Sequence, residues 1–375
     1  MISAIGFYQM KEEQGFEEPV KGYLDYSKTQ ENLDTAAKAL RAKFWQLQKP
    51  FGVVNVGDFT FYDNVWDLLS LLGAKNEAQK ACSSVKSYHQ AKVLNNEHLA
   101  KHRWLDSEFF VIKPEFNEAA SYELNTKELF SQYEEAKALG YKVKFTLFGV
   151  FSPLFFAKLA PDDEKAAFKK FKSSYFNLIE AIAQLEKGVE IDFNELAFSA
   201  ARDEKMTQTL RCTLGMPAVE CIYDRFEKKG VRVCVNTFEY NEDLLRILLT
   251  TSVSGVGFDA NKTPPNELLE ALGKSGKNVK LGIIGLENLS KNDLNLAKNS
   301  LNLDEKSLNF DKKLELLKHY LQFIPKERLI LSLSNRLLQS DFAYIKTHSD
   351  FAEYDKFINA KINELIALEN AFKSL

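Results

Sequence analysis

Cysteine and histidine are scarce in this chain and long apolar runs are missing, and each shortage removes a class of protein. Cys82, Cys212, Cys221 and Cys234 are too few and too scattered along 375 residues for a disulfide framework, and they read as free thiols. No apolar stretch reaches the length of a membrane span, and residues 1–14 carry acids where a signal peptide needs an apolar centre. A cytoplasmic protein with no membrane partner is therefore expected. Neither sign of charge dominates: 49 basic and 52 acidic residues are interspersed, with a formal net charge of -3. Nothing here is built to neutralise a phosphate backbone, so nucleic acid is not an expected partner. The chain also lacks a Gly-x-Ser-x-Gly elbow and a Walker-type phosphate loop, and no Gly-x-Gly-x-x-Gly turn follows its first strand.

What is present is alternation of helix and strand. Hydrophobic residues make up 45% of the chain, enough for a sizeable core. Leu33, Ala36, Ala37, Leu40, Phe44 and Leu47 recur at helical spacing until Pro50 stops them, and the β-branched run 53–56 follows. A helical zone over 66–100 leads to a β-rich run at 109–114, ended by its proline. Helix then leads to strand six more times, with strands at 143–150, 189–193, 231–238, 255–259, 279–285 and 329–334. A last helix covers 351–372, rich enough in apolar residues to be either a barrel cover or a surface for a partner. Eight such units predict a single (β/α)8 TIM barrel over residues 1–375, with an N-terminal helix, a helical insertion after the first strand and a long connection at 300–310.

Barrel chemistry sits at the carboxyl ends of the strands. Those positions hold Asp58, Lys113 or Glu115, Asp192, Asn236, Asp259, Glu287 and Asn335, a ring suited to a polar small molecule. Helix capping competes for the same positions, Asp58 and Asp63 included. No metal site is expected. His98 and His102 stand four apart on an expected helix with no acid or cysteine to complete a set, and Cys212 and Cys221 lie on no ligand spacing.

Five segments in register resemble a known family. Lys38-Ala39-Leu40-Arg41 with Trp45-Gln46-Leu47-Gln48-Lys49, then Asn55-Val56-Gly57-Asp58-Phe59-Thr60-Phe61-Tyr62-Asp63, are similar to the opening of the N-terminal barrel of cobalamin-independent methionine synthase. The likeness continues through Arg103-Trp104-Leu105-Asp106 with Lys113-Pro114-Glu115-Phe116, through Glu135-Ala136-Lys137-Ala138-Leu139-Gly140, and through Glu190-Ile191-Asp192. The resemblance implies two facing barrels that transfer a methyl group from 5-methyltetrahydropteroyl-polyglutamate to homocysteine. A zinc ion in the C-terminal barrel, held by His, Cys, Glu and Cys, lowers the thiol pKa. This chain ends where the N-terminal barrel would, so the resemblance implies no cofactor here and a zinc-bearing partner barrel, in cis or in trans.

Departures from the family pattern cluster at the folate contacts. Its basic Arg-Glu-Leu-Lys segment is replaced by Gln14-Gly15-Phe16-Glu17, a lysine by Arg103, and a polar edge by Glu108 and Phe109-Phe110-Val111. Phe193-Asn194 stands where a Glu-Pro pair follows Ile191-Asp192. Arg103, Asp58, Asp192, Asn236 and Asp259 are the folate or substrate candidates, and no residue is assigned as catalytic. The leading expectation is methyl transfer with a zinc-bearing barrel. A catalytically silent barrel that binds a metabolite or partner is the alternative, and a lone enzyme built on Asp58, Asp192 and Asp259 is a third.

Overall fold

The first long helix shows how local chemistry sets the element boundaries. In α2 (Gln30–Gln48) Thr29 is the N-cap: its hydroxyl accepts from the Asn32 amide at 3.3 Å, while the Asn32 side chain accepts from the Thr29 amide at 3.0 Å. This reciprocal box satisfies two donors that a helix start leaves over. Pro50 stops the helix, and Gly52, at φ +73°, turns the chain into strand β2 (Val54–Val56). The buried face of α2, Leu33, Ala37, Leu40, Phe44 and Trp45, covers that strand.

The computed structural model describes residues 1–4, 17–61, 64–74, 85–86, 99–104, 107–112, 122–157, 161–195, 216–237, 240–260, 263–284, 303–333 and 351–375. Besides β2, the strands are β1 (Ile2–Ala4), β3 (Leu99–Trp104), β4 (Ser107–Ile112), β5 (Val143–Phe148), β6 (Glu190–Asn194), β7 (Arg232–Asn236), β8 (Gly255–Asp259), β9 (Asn278–Ile284) and β10 (Leu329–Leu333). Besides α2, the helices are α1 (Glu17–Leu24), α3 (Asn64–Leu71), α4 (Lys127–Ala138), α5 (Ser152–Ala157), α6 (Pro161–Leu185), α7 (Met216–Glu227), α8 (Glu242–Thr250), α9 (Asn266–Ser275), α10 (Leu303–Leu321) and α11 (Phe351–Ser374). Among the described residues no helix is long and apolar enough to cross a membrane.

Eight strands pair in parallel in the order β1-β10-β9-β8-β7-β6-β5-β2, forming a nearly closed (β/α)8 barrel as expected. Two strand assignments differ from the sequence reading. The first barrel strand is Ile2–Ala4, so the run at 53–56 is the second. The β-rich run at 109–112 lies outside the barrel, in an antiparallel pair of β3 with β4. That pair replaces the end of the expected helical zone, and His102 lies on β3 rather than on a helix; His98 is outside the described residues. A three-residue strand is too short to show a period, and an isolated β-rich run reads the same in a hairpin as in a barrel. Residues 303–310, expected within a long connection, open helix α10. The terminal helix α11 covers β1, β9 and β10 with Ile358, Ile362, Leu365, Leu368 and Phe372.

β1 and β2 are the two ends of the strand order, and no ladder joins them among the described residues. Side chains fill that seam. The Asn55 amide donates to Gln48 Oε1 at 2.9 Å and the Asn55 carbonyl accepts from Trp45 Nε1 at 2.9 Å, while Val54 and Val56 pair with β5. On the other bank Lys144 Nζ donates to the Ala4 carbonyl at 2.6 Å. An unpaired strand edge is thereby capped.

Gly57 ends β2 at φ +90°, and a Cβ there would stand 2.9 Å from both the Thr146 carbonyl oxygen and Leu129 Cδ1. Only glycine adopts this conformation without strain. Gly57→Ala is expected to lower stability by about 2 kcal/mol, from the left-handed penalty plus the contacts, read from urea denaturation. A change under about 0.5 kcal/mol would show that the turn relaxes freely.

Candidate functional site

The barrel strands alternate in a way unusual for parallel strands, which are commonly apolar on both faces. On β5, Phe145 stacks on Tyr133 of α4 with centroids 5.6 Å apart, and on β6, Phe193 packs against Tyr175 of α6 and Tyr223 of α7. The apolar residues thus face the helices. Their neighbours Lys144, Thr146, Asp192 and Asn194 face inward, joined in register by Ser3, Asn55, Cys234, Asn236, Lys280 and Ser332. Barrel interiors usually hold layers of branched apolar side chains. This interior is polar.

Asp192 is its centre. Lys144 Nζ donates to Asp192 Oδ2 at 2.6 Å, and Lys280 Nζ reaches both carboxylate oxygens at 2.7 Å. Two strands, β7 and β8, separate β6 from β9, so the Asp192–Lys280 bond crosses the lumen. Lys144 also donates to Ser3 Oγ at 2.9 Å, and Glu190 Oε1 stands 3.6 Å from Lys280 Nζ. Burial pushes the Asp192 carboxyl up, but the two lysines reverse this and hold it below its usual range. Burial pulls Lys280 down, and Asp192 more than offsets that, so Lys280 keeps its proton firmly. Lys144 is the weaker ammonium: burial lowers it, and Asp192 does not restore it against the charge of Lys280.

A second buried group lies just beyond β6. Glu195 accepts from the Tyr223 hydroxyl, from Ser152 Oγ at 3.3 Å and from the Phe151 amide at 3.4 Å, and its carboxyl packs where a Cβ on Gly149 would stand. Burial pushes Glu195 up to about 7, against the pull of these donors. Beside it Asn236 Nδ2 donates to Asn194 Oδ1 at 3.1 Å, and the buried Cys234 thiol donates to Asn236 Oδ1 at 3.4 Å. Burial pushes that thiol well above its ordinary value.

The structure separates the sequence candidates. Asp58 (6% exposed) follows β2 and Asp259 (3% exposed) ends β8, at carboxyl-end positions four strands apart. Asp192 is not at the mouth: it registers with Cys234 and so with Gly255 at the start of β8, and its carboxylate is engaged by the two lysines. Asn236 does end its strand and is bonded to Asn194. Arg103 lies on β3, outside the barrel, with Glu108 at the register position directly opposite. Glu17 opens α1, and Gln14, Gly15 and Phe16 lie outside the described residues. Lys144, Lys280 and Glu195 were not singled out from sequence. Their signal was available: a lysine between apolar residues in Val143-Lys144-Phe145 and Val279-Lys280-Leu281 marks the inward face of a strand.

Fold and interior together define a (β/α)8 barrel whose strands end in a polar face of acids and carboxamides, the working face of that architecture. The family model described as "Cobalamin-independent synthase, N-terminal domain" matches residues 1–308, and the chain belongs to that family. It is 24% identical over 383 aligned positions to the 5-methyltetrahydropteroyltriglutamate–homocysteine methyltransferase of Desulforamulus reducens, covering 98% of this chain and 46% of that protein. It is 29% identical to the protein of that name from Actinobacillus pleuropneumoniae serotype 5b, over 71% of this chain and 35% of the relative. The chain spans less than half the length of these curated relatives. Among solved structures, a methyltransferase from Methanosarcina mazei shares the fold with a TM-score of 0.55 at 9% identity, over 99% of this chain and 94% of that one.

Proposed function

We propose that this chain is the N-terminal-type barrel of a methyl-transfer system that moves a methyl group from 5-methyltetrahydropteroyl-polyglutamate to homocysteine, working only with a zinc-bearing barrel in cis or in trans. The observation that supports this reading is the family match over residues 1–308. The zinc belongs to the other barrel in this reading. Among the described residues no group of three or more His, Cys, Asp and Glu side chains is placed to hold a metal ion. The described Cys234 side chain is a buried thiol with a raised pKa, the opposite of what a metal-bound thiolate needs. These residues do not fit a zinc ion.

A second reading, a catalytically silent barrel that binds a small metabolite or a partner, draws support from the use of Asp192 and Asn236 in bonds within the fold. Isothermal titration of the full chain with 5-methyltetrahydrofolate triglutamate separates the two. The methyl-transfer reading expects a Kd in the micromolar range, about -8 kcal/mol, and methionine formation once a zinc-bearing barrel of the family is added. No heat of binding together with no methionine formation overturns it in favour of the silent module.

A further inference from the structure

The loop that leaves β2 at the carboxyl face, residues 57–61, is fastened from the helix layer behind it. The Gly57 amide donates to Gln132 Oε1 of α4 at 3.1 Å, and the Thr60 hydroxyl donates to Asp67 of α3. The guanidinium of Arg41, on α2, lies 4.8 Å from the centre of the Phe59 ring, and Phe61 meets that ring edge to face at 5.6 Å. Asp58 stands between Gly57 and Phe59, so the anchors on its two chain neighbours fix the backbone that carries it. Arg41 is itself held by a fork: its Nε and Nη2 donate to the two carboxylate oxygens of Glu135 on α4 at 2.9 and 2.8 Å. Its Nη1 stands 3.6 Å from Glu128 Oε1, the same oxygen that accepts from Gln132 Nε2 at 3.2 Å. One carboxylate thus joins the anchor of Gly57 to that of Phe59.

We propose that Arg41 is a positioning residue: from the helix layer it sets the conformation of the loop at 57–61 and, through it, the place of Asp58 at the carboxyl face. The Arg41 side chain is 4% exposed. A charge withdrawn that far from water, even when paired, is often no more stabilising than an apolar side chain of the same volume. The value of the pair is then geometric. A planar guanidinium makes both contacts at once, a two-point fork on Glu135 and a cation held over the Phe59 ring. A lysine ammonium keeps the charge but has neither the fork nor the flat face. Asp58, buried at the end of β2, carries a carboxylate that accepts hydrogen bonds from the N–H groups of a ligand at this face. The ligand side of the inference rests on the methyl-transfer reading, while the hold of Arg41 on the loop does not.

The test reads one quantity with ligand and one without, on the full chain, each variant first shown by urea denaturation to be folded under the conditions used. In isothermal titration with 5-methyltetrahydrofolate triglutamate, Asp58→Asn and Arg41→Lys are each expected to weaken binding about tenfold. The double variant should lose no more than about threefold beyond either, because Arg41 acts through Asp58. A contribution to stability alone would leave the Kd of the folded chain unmoved. Amide exchange in residues 57–61, measured without ligand, is expected to rise about tenfold in Arg41→Lys while β5 stays protected. If Arg41→Lys does not fold, Glu135→Gln, which weakens the fork and leaves Arg41 in place, carries the same expectations. Unchanged exchange at 57–61 overturns the positioning role. An unmoved Kd in either single variant, or losses that multiply in the double, overturns the route through Asp58. If the unmodified chain does not bind the folate, the methyl-transfer reading falls, and exchange at 57–61 alone decides the role of Arg41.

Discussion

Replacing Asp192 by Asn is expected to lower stability by about 4 kcal/mol or more, a large share of the 5–15 kcal/mol that holds a typical domain together. The substitution conserves volume, so the loss is electrostatic. It leaves the ammonium groups of Lys144 and Lys280, both essentially inaccessible to solvent, facing each other without the carboxylate that both contact. Urea denaturation reads the loss as a fall in midpoint at constant slope. Removing all three charges together, as Lys144→Met, Asp192→Leu and Lys280→Met, should recover most of the stability, because a buried ion cluster and an apolar one of similar volume are often equivalent. A loss below about 1 kcal/mol in Asp192→Asn would mean that water reaches the lumen and screens the lysines. The same cluster sets an acid limit. Asp192 titrates below its unfolded value of 3.8, so its contribution is complete above that value and is lost as pH falls through the depressed one.

Trp45→Ala is expected to cost about 3–5 kcal/mol, the range for truncating a buried aromatic. The indole is 3% exposed and caps the Asn55 carbonyl on the edge of β2 that no strand covers among the described residues. Trp45→Phe isolates the polar part: it keeps most of the apolar bulk, removes the donor, and should cost about 1–3 kcal/mol for a buried carbonyl left without it. Urea midpoints measure both. Amide exchange at Asn55 should accelerate in each variant, since its amide faces the seam between β1 and β2. If Trp45→Phe proves as stable as the unmodified chain, the carbonyl finds another donor and the seam does not depend on the indole.

Several elements are legible in the sequence alone. The helices over 127–138, 161–185, 242–250 and 266–275 were bounded by Gly, Pro, Asn and Asp signals that act through local backbone geometry, and they fall within a few residues of expectation. Parallel strands at 143–148, 190–194, 232–236, 255–259, 278–284 and 329–333 followed from β-branched and aromatic runs between those helices. Ile2–Ala4 was not legible, because three residues carry no period and their strand character comes from pairing with β10. Ser107–Ile112 misled for the opposite reason. Its run is β-rich, but the choice between the barrel and an antiparallel hairpin with Leu99–Trp104 is made by a partner strand and not by its own residues.

The candidate site divides along the same line. That Asp58, Asn236 and Asp259 fall at strand ends follows from the chain alone, since a strand ends where its apolar pattern stops. Asp192 falls two residues short of the end of β6, and its engagement by Lys144 and Lys280 depends on lysines 48 and 88 positions away. Which pole of a strand faces the lumen, and which charges meet there, is decided by barrel closure: it brings β6 and β9 across one interior, a contact between distant segments that no local pattern encodes. The same holds for Glu195, an ordinary strand-end acid in the sequence that becomes a buried carboxyl titrating near 7 once α5, α6 and α7 pack around it. Local propensity and spacing determined the alternation of helix and strand and most helix limits, and the resemblance of five segments pointed to the family. Tertiary packing alone decided which polar residues are withdrawn from water, because desolvation is a property of everything around a group rather than of the residue itself.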